Sequence, residues 1–251
     1  MNNEKKRLDQ ILVEKKLVAS RSKAQAMIMA GQIYVNDIKI TKSGTSFNKN
    51  IDISIKKLRS EWVSRGALKL LKIIETSKIE IKNKICLDLG SSTGGFTQVL
   101  LKNDAKKIYS VDVGKNQLHE ILKKEKKIIS IEKCNAKFLD RNVIEDDIDI
   151  IVCDVSFISL KKVIKPCLKF LKNNSIIIAL IKPQFEVEKK LLKKGIVTNT
   201  IIHKKICEEI SMWFESNCSS EVLNLIQSPL LGPKGNKEFL IYCKYYKNLK
   251  Q

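Results

Sequence analysis

The chain has 251 residues, 47 of them Lys or Arg against 27 Asp or Glu, giving a formal net charge of +20. That length fits one large or two smaller domains, and the basic excess points to nucleic acid or an anionic membrane surface as partner. The opening Met-Asn-Asn-Glu-Lys-Lys-Arg lacks a signal peptide's apolar core, the longest apolar run (Ile176 to Ile181) is too short to span a bilayer, and the seven cysteines form no Cys-x-x-Cys pair. A cytoplasmic protein with reduced, mostly buried thiols is expected, without disulfides or a zinc site.

Residues 1–59 read as a small α+β module. Arg7 to Val18 has helical periodicity, and Ser20 caps a second helix running to about Ala30. Gly31 ends that helix, Gln32 to Asn36 alternates as a strand, and Asn36-Asp37 makes a tight turn. The module holds 13 Lys or Arg against 5 Asp or Glu, and Arg7, Arg21, Lys23 and Gln32 flank its helices, suited to tracking phosphates rather than reading bases. Arg7-Leu-Asp9, Ser20-Arg-Ser-Lys-Ala24, Ala30-Gly-Gln-Ile33 and Val35-Asn36 resemble the alpha-L RNA-binding motif of ribosomal proteins and pseudouridine synthases.

A charged linker over 60–63 ends in Trp62 and Val63, and residues 64–251 then form a second domain. Ser64 to Lys69 opens a helix whose expected apolar face includes Leu68, Leu71 and Ile74. Strands follow at Ile85 to Leu89, Lys107 to Asp112, Ile128 to Ile131, Ile148 to Cys153, Ser175 to Ile181, Glu221 to Gln227 and Glu238 to Tyr245. Helix-length segments separate the first five, which predicts an α/β, parallel, doubly wound sheet. The last two, joined by the short Pro229 to Asn236 connection, are expected as an antiparallel pair at a sheet edge. Seven strands with a terminal antiparallel hairpin are the Rossmann-like architecture of class I methyltransferases.

The glycines after the first strand read Gly90-x-x-x-Gly94-Gly95, not the Gly-x-Gly-x-x-Gly of a pyrophosphate cradle. Asp88 beside this turn and Asp112 at the tip of the second strand suit a cationic nucleoside better than a phosphate, which makes S-adenosylmethionine the expected cofactor. At the fourth strand's tip Asp154-Val-Ser-Phe157 is not the Asp/Asn-Pro-Pro-Tyr/Phe of amino methylation. Cys167 falls within a helix and reads as core, while His119 and His203 are isolated, lack metal-ligand spacing and read as surface residues, so no metal is expected.

The whole chain resembles the TlyA family of hemolysin-labelled ribosomal RNA 2′-O-ribose methyltransferases. The matching segments are Trp62 to Ala67, Ser92 to Thr97, Val111 to Gly114, Asp154 to Leu160, Ile181 to Glu186 and Gly232 to Glu238. Departures fall at Ser91 and at Lys115-Asn116 beside the expected cofactor ribose. The resemblance assigns Lys69, Asp154, Lys182 and Glu238 to a Lys-Asp-Lys-Glu catalytic tetrad; spacing alone does not. In that tetrad Lys182 is expected to act as the base, Lys69 and Asp154 to tune and position it, and Glu238 to orient the hydroxyl. A lysine can take a hydroxyl proton only where like charge or desolvation favours its neutral form.

The cofactor-binding set expected is Asp88, Gly90, Ser92, Thr93, Gly94, Gly95, Phe96, Asp112, Val113, Asn135 and Asp154, with Arg65 joining the RNA-binding residues. Phe157 and Phe185 can stack a nucleotide or pack in the core, and the lysine-rich segment from Phe185 to Thr198 reads as a flap or a solvated loop. Ribosomal RNA or ribosomal subunits are the expected partner, with neither a membrane nor an obligate protein partner. Two alternatives stay open, a membrane-active hemolysin and a non-catalytic RNA-binding assembly factor; the intact tetrad argues against the second.

Overall fold

The computed structural model describes residues 5–29, 31–48, 50–55 and 61–247. Ala30 and residues 56–60, where the second helix and the linker were expected to end and begin, lie outside the described residues. The chain divides into two compact units, Met1–Ser60 and Glu61–Gln251.

In the first unit β1 (Lys6–Arg7) leads into α1 (Leu8–Glu14), followed by α2 (Arg21–Met29), β2 (Ile33–Val35), β3 (Ile38–Ile40), β4 (Ser46–Phe47) and β5 (Ile53–Ile55). Ser20 does cap α2, its Oγ accepting the Lys23 N–H at 3.3 Å. Asn36 and Asp37 both take positive φ (48° and 62°), the twist that closes the β2–β3 hairpin. Leu8, Leu12, Ala24, Ile28, Ile33 and Val35 bury themselves between the helix pair and the three-stranded sheet β3-β2-β5.

The second unit runs α3 (Ala67–Ser77), β6 (Ile85–Leu89), α4 (Gly95–Lys102), β7 (Lys107–Val111), α5 (Glu120–Lys123), β8 (Ile128–Ile131), β9 (Ile148–Cys153), α6 (Leu160–Cys167), β10 (Leu171–Ile181), α7 (Pro183–Glu186), α8 (Thr200–Asn217), β11 (Ser220–Gln227) and β12 (Phe239–Tyr245). The sheet order is β11-β12-β10-β9-β6-β7-β8. Only β12 is reversed, pairing antiparallel with both β10 and β11. The central strands are near-continuous apolar runs because helices cover both faces. Successive residues alternate between two cores: Leu87, Leu89, Ile151 and Cys153 face Val163, Ile164, Ile210 and Phe214, whereas Cys86, Ile150 and Val152 face Leu70, Ile73, Val99 and Leu100.

Several expectations shift. The buried face of α3 is Ala67, Lys69, Leu70, Ile73 and Ile74, while Leu68 is exposed. Glu61 to Val63 hold to the second unit: Trp62 packs on its core, and Val63 N–H donates to Gln98 Oε1 at 2.7 Å. His203 is buried, not superficial, its Nε2 2.9 Å from the Val197 carbonyl. The segment after Phe185 is built, with Asn236 donating to the Gly195 carbonyl and accepting the Val197 N–H. Glu238 precedes β12 instead of opening it.

Candidate active site

The parallel strands all end at one edge of the sheet, so Gly90 after β6, Asp112 after β7, Asp154 after β9 and Lys182 after β10 arrive together. Because β12 runs the other way, Glu238 at its start reaches the same edge. Lys69, one turn into α3, completes the group. Lys69 Nζ lies 2.7 Å from Glu238 Oε2 and 3.5 Å from Asp154 Oδ2. Lys182 Nζ lies 2.6 Å from Asp154 Oδ1 and donates to Ser156 Oγ at 2.8 Å. Two lysines and two carboxylates thus pair in a largely buried site, where each pairing is stronger than in water. Glu238 Oε1 is buried without a hydrogen bond.

Two cavities meet at this quartet. One, of about 650 Å³, is lined by Arg65, Lys69, Asp154, Lys182, Lys234 and Glu238 among others. The other, of about 390 Å³, is lined by Asp112, Val113, Asn135, Val155, Phe157 and Ile158 among others. Gly90, Ser92, Asp154 and Ser156 border both. Gly90 has φ +80°, and a Cβ there would stand 2.8 Å from the Asp154 carbonyl, so no side chain can intrude where the cavities join. Asp112 accepts the Ser92 N–H at 2.8 Å and the Gly114 N–H at 2.7 Å, clasping the turn to the following loop while lone pairs remain for a ligand.

The remaining expected residues divide. Gly95 and Phe96 line the larger cavity. Thr93 and Gly94 line neither; Gly94 takes φ +95°, where a side chain is strained, and a Cβ there would also press on the ends of the Leu118 and Leu122 side chains. Asp88 lies wholly beneath the turn; Thr97 Oγ1 donates to it at 2.6 Å, and burial pushes its carboxyl up to about 7. Phe157 is 91% exposed, with φ +65°, and leans on Phe185 at 5.1 Å between ring centroids.

Glu186 was not singled out by the sequence. Its two oxygens accept the Ser159 hydroxyl and the Leu160 N–H, both at 2.7 Å, tying the loop after β9 to α7. Burial raises its carboxyl above the usual range.

In the first unit Asp9 is fully buried and accepts from Arg7 Nε and Nη2 at 3.1 and 3.0 Å, Arg21 Nη2 at 3.3 Å and Gln25 Nε2 at 2.7 Å. Lys23 is exposed on α2, and Gln32 is half-buried.

A family model for FtsJ-like methyltransferases matches residues 62–245, and one for the S4 domain matches residues 6–49. The chain is 41% identical over 239 residues to hemolysin A of Brachyspira hyodysenteriae, covering 94% of this chain and 98% of that one. It is 32% identical over 243 residues to the 16S/23S rRNA (cytidine-2′-O)-methyltransferase TlyA of Mycobacterium tuberculosis, covering 95% and 89%. A solved structure of a hemolysin-labelled protein from Streptococcus thermophilus superposes with a TM-score of 0.76 at 33% identity, covering 98% of this chain and 90% of that one. With the fold, the ordered motifs and near full-length likeness in agreement, this chain belongs to the TlyA family of FtsJ-like methyltransferases, with an S4 domain ahead of the methyltransferase fold.

Proposed function

We infer that this protein transfers a methyl group from S-adenosylmethionine to the 2′-hydroxyl of a cytidine ribose in ribosomal RNA, in the cytoplasm. The observation that carries the reading is the buried quartet of Lys69, Asp154, Lys182 and Glu238 at the junction of two cavities. The smaller cavity suits the cofactor: Asp112 offers lone pairs to ribose hydroxyls, Asn135 and Val113 offer a polar and an apolar wall, and glycine at 90 leaves the backbone approachable. When bound, S-adenosylmethionine supplies an electrophilic methyl carbon.

The residues divide the remaining work. Lys182 takes the 2′-hydroxyl proton as the oxygen attacks, with Asp154 and Ser156 fixing the direction of its amine. Lys69 and Glu238 hold each other, and the pair orients the hydroxyl from the wall of the larger cavity. Phe157, exposed beside the cofactor cavity, offers a face on which the target base stacks. The S4 domain anchors structured RNA through Arg7, Arg21, Lys23 and Gln32.

The test is transfer of labelled methyl from the cofactor into 16S and 23S rRNA, followed by alkaline digestion. A 2′-O-methyl group blocks cleavage at its own nucleotide, so label is expected in alkali-stable dinucleotides; label only in mononucleotides means base methylation and refutes the reading. Asp112→Ala should weaken cofactor affinity tenfold or more by calorimetry, since charge-assisted hydrogen bonds are worth about 1.5–3 kcal/mol. Unchanged affinity in a folded variant removes Asp112 from the cofactor site. Lysis of red cells by the pure protein, without methyl transfer, would support the hemolysin alternative.

A further inference from the structure

α6 starts six residues after Asp154 and turns Leu160, Val163, Ile164 and Cys167 into the core, which leaves Lys161, Lys162 and Lys165 on its outer side. The short turn Ala136–Phe138 packs along this helix, with the Cys167 thiol 3.6 Å from the Ala136 carbonyl, and brings Lys137 and Phe138 beside it. Trp213 of α8 closes the other side. Together Lys137, Lys161, Lys162, Lys165, Pro166 and Trp213 line a depression of about 570 Å³ without a carboxylate among them. Phe138 beside it is 78% exposed. No residue lines both the depression and the cofactor cavity, but the two share elements: Ala136 precedes Lys137 in its turn and Val163 lies on α6, and both line the cofactor cavity.

We propose that this face of α6 is a second RNA-docking surface, separate from the S4 domain, that grips phosphates of a non-helical strand leading to the active site. It rests on the reading that RNA is the substrate. Lys161 and Lys165, four residues apart, and Lys162 and Lys165, three apart, project as neighbours from one helix side, so their amines can follow consecutive phosphates. Trp213 supplies an apolar face among the charges, and Phe138, exposed next to Lys137 in the chain, offers a second. A cationic groove interleaved with aromatic rings suits single-stranded RNA, which combines a charged backbone with bases free to stack. A double helix would use the charges but leave the rings idle.

The full-length protein carrying Lys161→Gln, Lys162→Gln and Lys165→Gln is compared with one carrying Lys124→Gln, Lys126→Gln and Lys127→Gln. The second set is exposed and lies just before β8, at the sheet edge opposite the active site. Binding to protein-free 16S and 23S rRNA is measured across salt. The α6 variant should lose roughly 10- to 100-fold in affinity near 0.1 M salt, with the slope of log affinity against log salt reduced by about 2–3. The control variant should change neither by more than about threefold, and cofactor affinity should be unaltered in both. Equal losses in the two variants would reduce the surface to net charge and overturn the proposal, as would an unchanged slope in the α6 variant. Loss of binding to phosphatidylglycerol vesicles with unchanged RNA binding would reassign the surface to membranes and overturn it too. Wild-type methyl transfer to the same RNA reports on the underlying reading independently: no transfer with a reduced slope sinks the reading and keeps the surface.

Discussion

Asp9 in the S4 domain and Asp154 in the methyltransferase unit are both acids set between two bases, yet the bases differ in kind and in setting. The side chains of Arg7 and Arg21 on Asp9 are 44% and 53% exposed. Those of Lys69 and Lys182 on Asp154 are 11% and 8% exposed. A guanidinium keeps its proton at any working pH, so an acid beneath two arginines fixes a cationic fork for an incoming phosphate. A lysine is a point charge that can exist neutral, so in the function proposed above the acid between two buried lysines aims the amine that takes the proton. On the proposed function the same arrangement serves binding where its bases face water and chemistry where they do not. Asp9 also shows what pairing does to an acid, for the Arg7 hydrogen bonds hold its carboxyl well below the usual carboxylate range despite its burial.

The largest test of this contrast swaps the base at the buried site. Lys182→Arg keeps the charge next to Asp154 but removes any chance of accepting a proton, and Lys182→Ala removes both. Each should lower single-turnover methylation by about 10²–10⁴ while sparing cofactor and RNA affinity. An Arg variant that transfers methyl at near the wild-type rate would leave Lys182 a purely electrostatic part and dissolve the distinction between the two acids.

Asp88 is a third buried acid, with a hydroxyl for a partner and no cation, and burial pushes it up to about 7. The sign follows from linkage. Between about pH 4, where the unfolded carboxyl titrates, and about pH 7, the folded chain keeps a proton that the unfolded chain has lost, so stability falls as pH rises through that window. Asp88→Asn removes this loss and keeps an acceptor for Thr97. Urea unfolding of the cofactor-free protein should show the Asn variant gaining on wild type by about 2–3 kcal/mol between pH 5 and pH 8. Parallel profiles for the two proteins would mean that Asp88 is not held protonated by its burial.

The central strands were legible because a strand covered on both faces is a plain apolar run, and six of the seven match residue for residue or to within one residue at one end, β10 alone starting four residues earlier than expected. The face of α3 was not legible, since it buries Lys69, and hydropathy sends a lysine outward when no partner is known. Its partners lie 85 and 169 residues along the chain. The quartet therefore came from likeness to a family, whereas local pattern offered only four separate charges at strand ends. Nor does local pattern separate the roles open to Gly94, whose φ of +95° and contacts with Leu118 and Leu122 favour glycine whether or not a ligand approaches it. The two-residue strands β1 and β4 carry too few residues for any periodicity to show.

The smallest expected effect is the converse swap at the exposed site. Arg7→Lys keeps a positive charge near Asp9 and gives up the fork that now spends Nε and one Nη2 on that carboxylate. If the S4 domain grips RNA chiefly through the field of positioned cations, affinity for rRNA should fall only about two- to fivefold, and the salt slope should stay the same because the number of phosphates neutralised is unchanged. Cofactor affinity should not move. Filter binding across salt measures both quantities on one protein. A loss of a hundredfold or more with an unchanged slope would mean that Arg7 engages RNA through guanidinium geometry that lysine cannot copy. Asp9 would then be aiming its base as strictly as Asp154 aims Lys182, and exposure of the bases alone would no longer separate the binding site from the chemical one.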